Sequence, residues 1–297
     1  MISNYHLTRP YLHESASQHF QFRYDDCATT MSVKPLWAGG KTITVAGGQL
    51  EATWFGPPPS EAPTLVFLHE GLGCISMWKD TPRKLAAATG CGALVYTRFG
   101  YANSDPCSLP RQVDYMHGEA HEVLPQVLSL LGVQQCILIG HSDGGSIAIL
   151  HLGSNPSVSV RGAITLGAHV FVEDLTVAAI AATKDQYRNG DLKRGLAKHH
   201  GEHTDRVFWS WNDIWLLPEF KNWNIETYLA DITLPMLVIQ GEQDPYGSEA
   251  QIDAIVAGTT SKVETLMIPD CEHWPHLEQP DLTLRAMAQF IQHTLIV

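Results

Sequence analysis

The sequence predicts an α/β protein: a mostly parallel, doubly wound sheet carrying a helical cap insertion. Three observations support this. Short, nearly all-apolar runs recur at residues 64–68, 93–97, 136–140, 163–166, 236–240 and 263–268, the form of parallel strands covered on both faces. Helical patterns stand between several of them, at 78–88, 115–131, 146–152, 251–257 and 282–295. One long stretch, 171–233, has no strand pattern and carries Trp209, Trp211, Trp215 and Trp223 with Phe208 and Phe220. Alternating strands and helices build a parallel sheet with helices on both faces.

Taken in order, residues 1–40 read as an N-terminal arm. The first thirty are polar, rich in His and Tyr, and lack periodicity. They show neither the apolar run nor the small-residue cleavage site of a secretory signal. Met31 reads as an alternative start, because the regular pattern begins soon after it. Residues 41–55 alternate about Gly47-Gly48, as in a β-hairpin, and Pro57-Pro58-Pro59 ends them. The core then runs over 41–170 and 234–297, with the cap over 171–233. Pro125 is expected to kink the helix over 115–131. There is no internal repeat and no low-complexity tract.

Composition narrows the function. A chain of 297 residues, 44% hydrophobic, suffices for one large core. The 19 basic and 31 acidic residues give a net charge of -12 without any basic stripe, which argues against nucleic-acid binding. No apolar run is long enough for a membrane span. The six cysteines, at 27, 74, 91, 107, 136 and 271, form no CxxC pair, and Cys136 lies in an apolar run as a small buried residue. A reduced, cytoplasmic protein with a small-molecule partner is expected. The sequence leaves the oligomeric state open.

The chemistry starts at Gly140-His141-Ser142-Asp143-Gly144. This G-x-S-x-G lies between a strand and a helix, the context in which a serine stands exposed on a strained turn. The helix start offers the Asp143 N–H to a developing anion. A serine hydroxyl needs a base, and the base needs an orienting acid. After the strand at 236–240 comes Gly241-Glu242-Gln243-Asp244-Pro245; after the strand at 263–268 comes Pro269-Asp270-Cys271-Glu272-His273-Trp274-Pro275-His276. Asp244 is the natural acid, with Glu242 as fallback, and His273 the natural base, with His276 as rival. All three candidates follow strands and fall at one sheet edge in the order Ser, acid, His.

In these motifs the chain resembles the α/β-hydrolase superfamily, from about residue 41 to the end. The resemblance implies a hydrolase with Ser142 as nucleophile, Asp244 as acid and His273 as base. It also implies that the loop Leu68-His69-Glu70-Gly71-Leu72-Gly73 supplies a second oxyanion N–H from Gly71. Glu70 departs from the pattern, since glycine is common there, and Thr97 stands where the family often has Asp. A carboxylate beside an oxyanion hole opposes negative charge unless it is paired. Arg98, after the neighbouring strand, is the expected partner of Glu70. The insertion matches the family's cap, so Trp209, Trp211 and Trp215, together with Glu70 and Arg98, are the expected substrate contacts.

The expected activity is cleavage of a small apolar or aromatic carboxylic ester through an acyl-enzyme, without metal or cofactor. Carbon–carbon, thioester and amide hydrolysis use the same triad and stay open. So does a slow-turnover small-molecule receptor on the same fold. His199-His200-Gly201-Glu202-His203 formally matches the inverted zinc pattern H-x-x-E-H, but Gly201 weakens a helix there. Cys271, two residues before His273, has no neighbour in sequence that would activate it.

Overall fold

Apolar runs buried on both faces belong in the interior of a sheet. The structure, a computed structural model, describes residues 34–154 and 156–295. Its strands are β1 (Thr42–Val45), β2 (Gly48–Phe55), β3 (Thr64–Leu68), β4 (Gly92–Tyr96), β5 (Cys136–His141), β6 (Val160–Leu166), β7 (Met236–Gly241) and β8 (Val263–Ile268). Among the described residues they form one sheet in the order β1-β2-β4-β3-β5-β6-β7-β8. The hairpin β1–β2 and the pair β2–β4 are antiparallel; every other neighbour is parallel.

The two-sided burial can be read along each central strand. In β3, Leu65 and Phe67 face one apolar cluster while Val66 and Leu68 face the other. In β5, Ile137 and Ile139 point to the first side and Cys136 and Leu138 to the second. No polar alternation survives, because both faces are dry. Strand β2, one position in from the edge strand β1, alternates between buried and half-buried residues instead.

The helices are α1 (Thr81–Thr89), α2 (Tyr115–Gly118), α3 (Leu124–Leu130), α4 (Asp143–Leu152), α5 (Asp174–Asn189), α6 (Leu192–His200), α7 (Thr204–Trp215), α8 (Glu249–Gly258), α9 (Pro275–Glu278) and α10 (Pro280–Leu295). Leu85 of α1 and Met287, Phe290 and Ile291 of α10 cover one face of the sheet. Residues of α3, α4 and α8 cover the other. Pro125 has no N–H to give back along its helix. The chain absorbs this as a widened, π-helical turn over Glu119–Val123, between α2 and α3.

Between β6 and β7 lie α5, α6 and α7 with short 3-10 turns and no strand, only one isolated bridge, Phe171 to Asn224. This is the helical cap. Of the expected arm, residues 1–33 lie outside the described residues. Residues 34–40 contain a 3-10 turn, Leu36–Ala38, that buries Leu36 in the core. No helix among the described residues is long and apolar enough to cross a membrane.

Candidate active site

Parallel strands align their carboxyl ends, and ligands bind along that edge of an open α/β sheet. Ser142 follows β5 there with φ 52 and ψ -118, a conformation that costs a non-glycine residue of order 1–3 kcal/mol. The flanking glycines are set by contact. A Cβ on Gly140 would strike the Gly144 carbonyl, and a Cβ on Gly144 would strike that of Leu68. The turn is pinned by Ser142 N–H donating to the Leu166 carbonyl at 2.8 Å. Helix α4 starts at Asp143, so its first N–H groups have no partner inside the helix and point to the serine side.

His273 follows β8, and its Nδ1 donates to Asp244 Oδ2 at 2.8 Å. Asp244 Oδ1 also accepts from the Tyr246 N–H at 2.8 Å. Burial works against the Asp244 carboxylate, but His273 and that N–H outweigh it and hold it below the usual carboxylate range. With Nδ1 committed, Nε2 is the free lone pair of the ring. Glu242 is exposed and makes no such contact. His276 packs against Trp78 at 4.9 Å and His141 at 5.1 Å. Burial, with His141 beside it, pushes its imidazole down to about 3.

The loop after β3 carries Gly71 to the same edge. Arg98, fully buried, anchors it differently from the sequence expectation. Its Nη2 donates to the main-chain carbonyls of Glu70 at 2.9 Å and His69 at 3.3 Å, and to Asp143 Oδ2 at 3.3 Å. Burial works against the Arg98 charge, yet Tyr101 and the carboxylates of Asp143 and Glu119 hold it protonated. The expected Glu70–Arg98 ion pair is therefore corrected. Glu70 turns its carbonyl to Arg98 and its carboxylate the other way, to His141 Nδ1 at 3.5 Å. The carboxylate that Arg98 meets is that of Asp143, which also accepts from Tyr115 OH at 2.7 Å.

Ser142, His273, Glu70 and Gly71 share one cavity of about 100 Å³. Leu72 and Met77 of the core and Ile180, Leu192, Leu196, Trp211 and Trp215 of the cap make its apolar walls. Two expected contacts are corrected. Arg98 lies beneath the loop and does not line the cavity. Trp209 does not line it either: it packs on Tyr187 and Phe208 with Arg188 over its ring. Trp211 and Trp215 are four apart on α7 and share a face, whereas position 209 turns away from it. Lining residues that the sequence reading missed are Tyr246 and Trp274, next to Asp244 and His273 in the chain, and His169, after β6 at the same edge. Adjacency to the motifs was the available signal.

The H-x-x-E-H stretch serves as a clasp. His199 Nδ1 bonds Ser76 Oγ at 2.7 Å. His200 Nε2 donates to the Leu72 carbonyl at 2.8 Å, and its Nδ1 accepts the Ala102 N–H at 3.3 Å. The helix breaks at Gly201, with φ 55. Among the described residues no group of three or more His, Cys, Asp or Glu side chains gathers as metal ligands. Burial pushes the Cys271 thiol up to about 12, with Glu278 and Asp244 adding to it, so it stays protonated.

The chain belongs to the alpha/beta hydrolase family: the family model matches residues 65–286, which take in every residue placed at the sheet edge above. It is 24% identical over 254 residues to the pimeloyl-[acyl-carrier protein] methyl ester esterase of Nitrosospira multiformis, covering 77% of this chain and 95% of that protein. It is 25% identical over 257 residues to the sn-1-specific diacylglycerol lipase ABHD11 of Danio rerio, covering 77% of this chain and 78% of that one. The fold is also that of the enol-lactonase from Burkholderia xenovorans, with a TM-score of 0.65, 17% identity, and coverage of 84% of this chain and 99% of that one.

Proposed function

We propose that the protein is a serine esterase that cleaves small apolar or aromatic carboxylic esters. The observation that carries this is the Asp244–His273 bond beside a strained serine in one apolar cavity. Nε2 of His273 takes the proton of Ser142, whose Oγ attacks the carbonyl carbon. The N–H groups of Asp143 and Gly71 hold the oxyanion. His273 returns the proton to the leaving group, an acyl-enzyme forms, and water activated by His273 releases the acid. The names of the curated relatives, an esterase and a lipase, favour the ester among the bonds such a triad opens. The narrow space of about 100 Å³ beside Ser142 favours a small acyl group, since a cavity of about 150 Å³ is what benzene fills. The small-molecule partner needs neither metal nor cofactor for these steps.

The test is labelling with a fluorophosphonate, followed by mass spectrometry of the modified peptide, with multiple-turnover kinetics on p-nitrophenyl esters. A single adduct on Ser142, lost in Ser142→Ala, is expected. An adduct elsewhere, or none on active protein, overturns the assignment. Labelling without turnover would instead favour a receptor on this fold.

A further inference from the structure

His141, the residue before Ser142, lies between two acceptors. Its Nε2 is 2.7 Å from the carbonyl oxygen of His273, and its Nδ1 is 3.5 Å from Glu70 Oε2. A carbonyl only accepts, so Nε2 carries a hydrogen. An ionised carboxylate also only accepts. A neutral ring would therefore aim a lone pair at a carboxylate inside the protein, with the His141 side chain at 0% and the Glu70 side chain at 12% exposure.

Of the other polar neighbours, His69 is committed at both ring nitrogens, while Trp78 Nε1 and His276 Nδ1 have no hydrogen-bond partner among the described residues. His69 gives Nδ1–H to the Glu70 carbonyl and accepts the Arg98 N–H at Nε2. Around the His141 ring stand Trp78, Trp274, His273 at 4.9 Å and His276 at 5.1 Å. Towards Glu70 stand Cys74, paired with Ser76, and His199 and His200 of α6, already bonded as above. None is seen donating to the Glu70 carboxylate.

We propose that Glu70 and His141 hold one extra proton between them, as a buried imidazolium–carboxylate pair, and that this brace positions the loop bearing His273. Glu70 follows β3, His141 ends β5, and His273 follows β8, so the brace ties together the three loops of the site. Glu70 is thus a positioning residue. The pair is neutral overall, so a carboxylate next to Gly71 does not oppose an oxyanion there. Burial works against the Glu70 charge, but His141 and His69 outweigh it and hold the group at about 2. The catalytic consequence rests on the serine-esterase reading; the proton count does not.

The test has two arms on the full chain. Two-bond 1H–15N correlation spectra near pH 7 should show one ring, absent in His141→Phe, with both nitrogens protonated. In Glu70→Gln the amide can donate to Nδ1, so that ring should become a neutral Nε2–H tautomer; this change also assigns the signal if His141→Phe does not fold. In steady-state kinetics, kcat should fall at alkaline pH in the wild type as the pair loses its proton, and that limb should vanish in Glu70→Gln. Glu70→Ala should lower kcat by about 10²-fold, the scale of a misplaced catalytic group, and Glu70→Gln by less. A neutral His141 ring in the wild type overturns the proposal. So does an alkaline limb of kcat that is unchanged in Glu70→Gln. The spectra decide the proton count even if no ester is turned over.

Discussion

Replacing Arg98 with methionine keeps most of the side-chain volume and removes the guanidinium. The change strands the Asp143 carboxylate, which is 1% exposed and would retain only the Tyr115 hydroxyl as a partner. Removing one member of a buried ion pair costs about 3–5 kcal/mol, so urea unfolding should show a loss of that size at pH 7. The two carbonyls that Arg98 holds belong to His69 and Glu70, immediately before Gly71. The loop should loosen, and kcat on p-nitrophenyl acetate should fall by about 10²–10³, as for loss of one oxyanion donor, with a smaller change in KM. Asp143→Asn removes the stranded charge but keeps the backbone N–H. The double variant should therefore cost at least about 1 kcal/mol less than the sum of the singles. Additivity within about 0.5 kcal/mol, or a normal kcat in Arg98→Met, would refute the view that Arg98 ties the Gly71 loop to Asp143.

His273→Ala should abolish turnover, while His276→Ala should leave most of it, as steady-state rates will tell. Asp244→Asn should cost about 10⁴ in kcat through the wrong imidazole tautomer, and Glu242→Gln little. The Asp244 carboxyl is depressed in the folded protein, so its stabilisation is complete above about pH 4 and is lost as pH falls through its lower folded value. Acid-unfolding curves of Asp244→Asn should be flatter in that range. Trp211→Ala should enlarge the cavity and move the acyl-length optimum upwards in a p-nitrophenyl ester series, whereas Trp209→Ala should leave that optimum in place.

The fold was legible because doubly buried strands leave uninterrupted apolar runs: all six runs are strands, five of them buried on both faces and the sixth the half-exposed edge strand β8. The hairpin was legible because β2 has one half-exposed face. The start of α4 was read late: it begins at Asp143, not at 146, because Gly144 and Gly145 depress helix propensity although close packing demands them. The residues of the proposed site were legible where a local motif names them, as at Ser142, Asp244 and His273. Pairings were not. Whether Arg98 meets the carboxylate or the carbonyl of Glu70 depends on which way one residue turns within a loop, and no spacing encodes that. Trp209 was misjudged for a related reason: a count of tryptophans ignores the helical phase that separates 209 from 211 and 215.

The clasp of His199 and His200 bears on how such a protein can diversify. Leu72, whose carbonyl His200 holds, is the residue after Gly71, so the insertion and the loop beneath it are fastened one position from the proposed chemistry. A foreign insertion grafted onto this sheet would need its own donor and acceptor at the height of His200, or it would leave the Leu72 carbonyl and the Ala102 N–H bare. Exchange of whole modules is thereby penalised. Replacement of single residues on the inner faces of α5, α6 and α7 is not, and that is the route by which a lineage could acquire new substrates while the clasp stays shut.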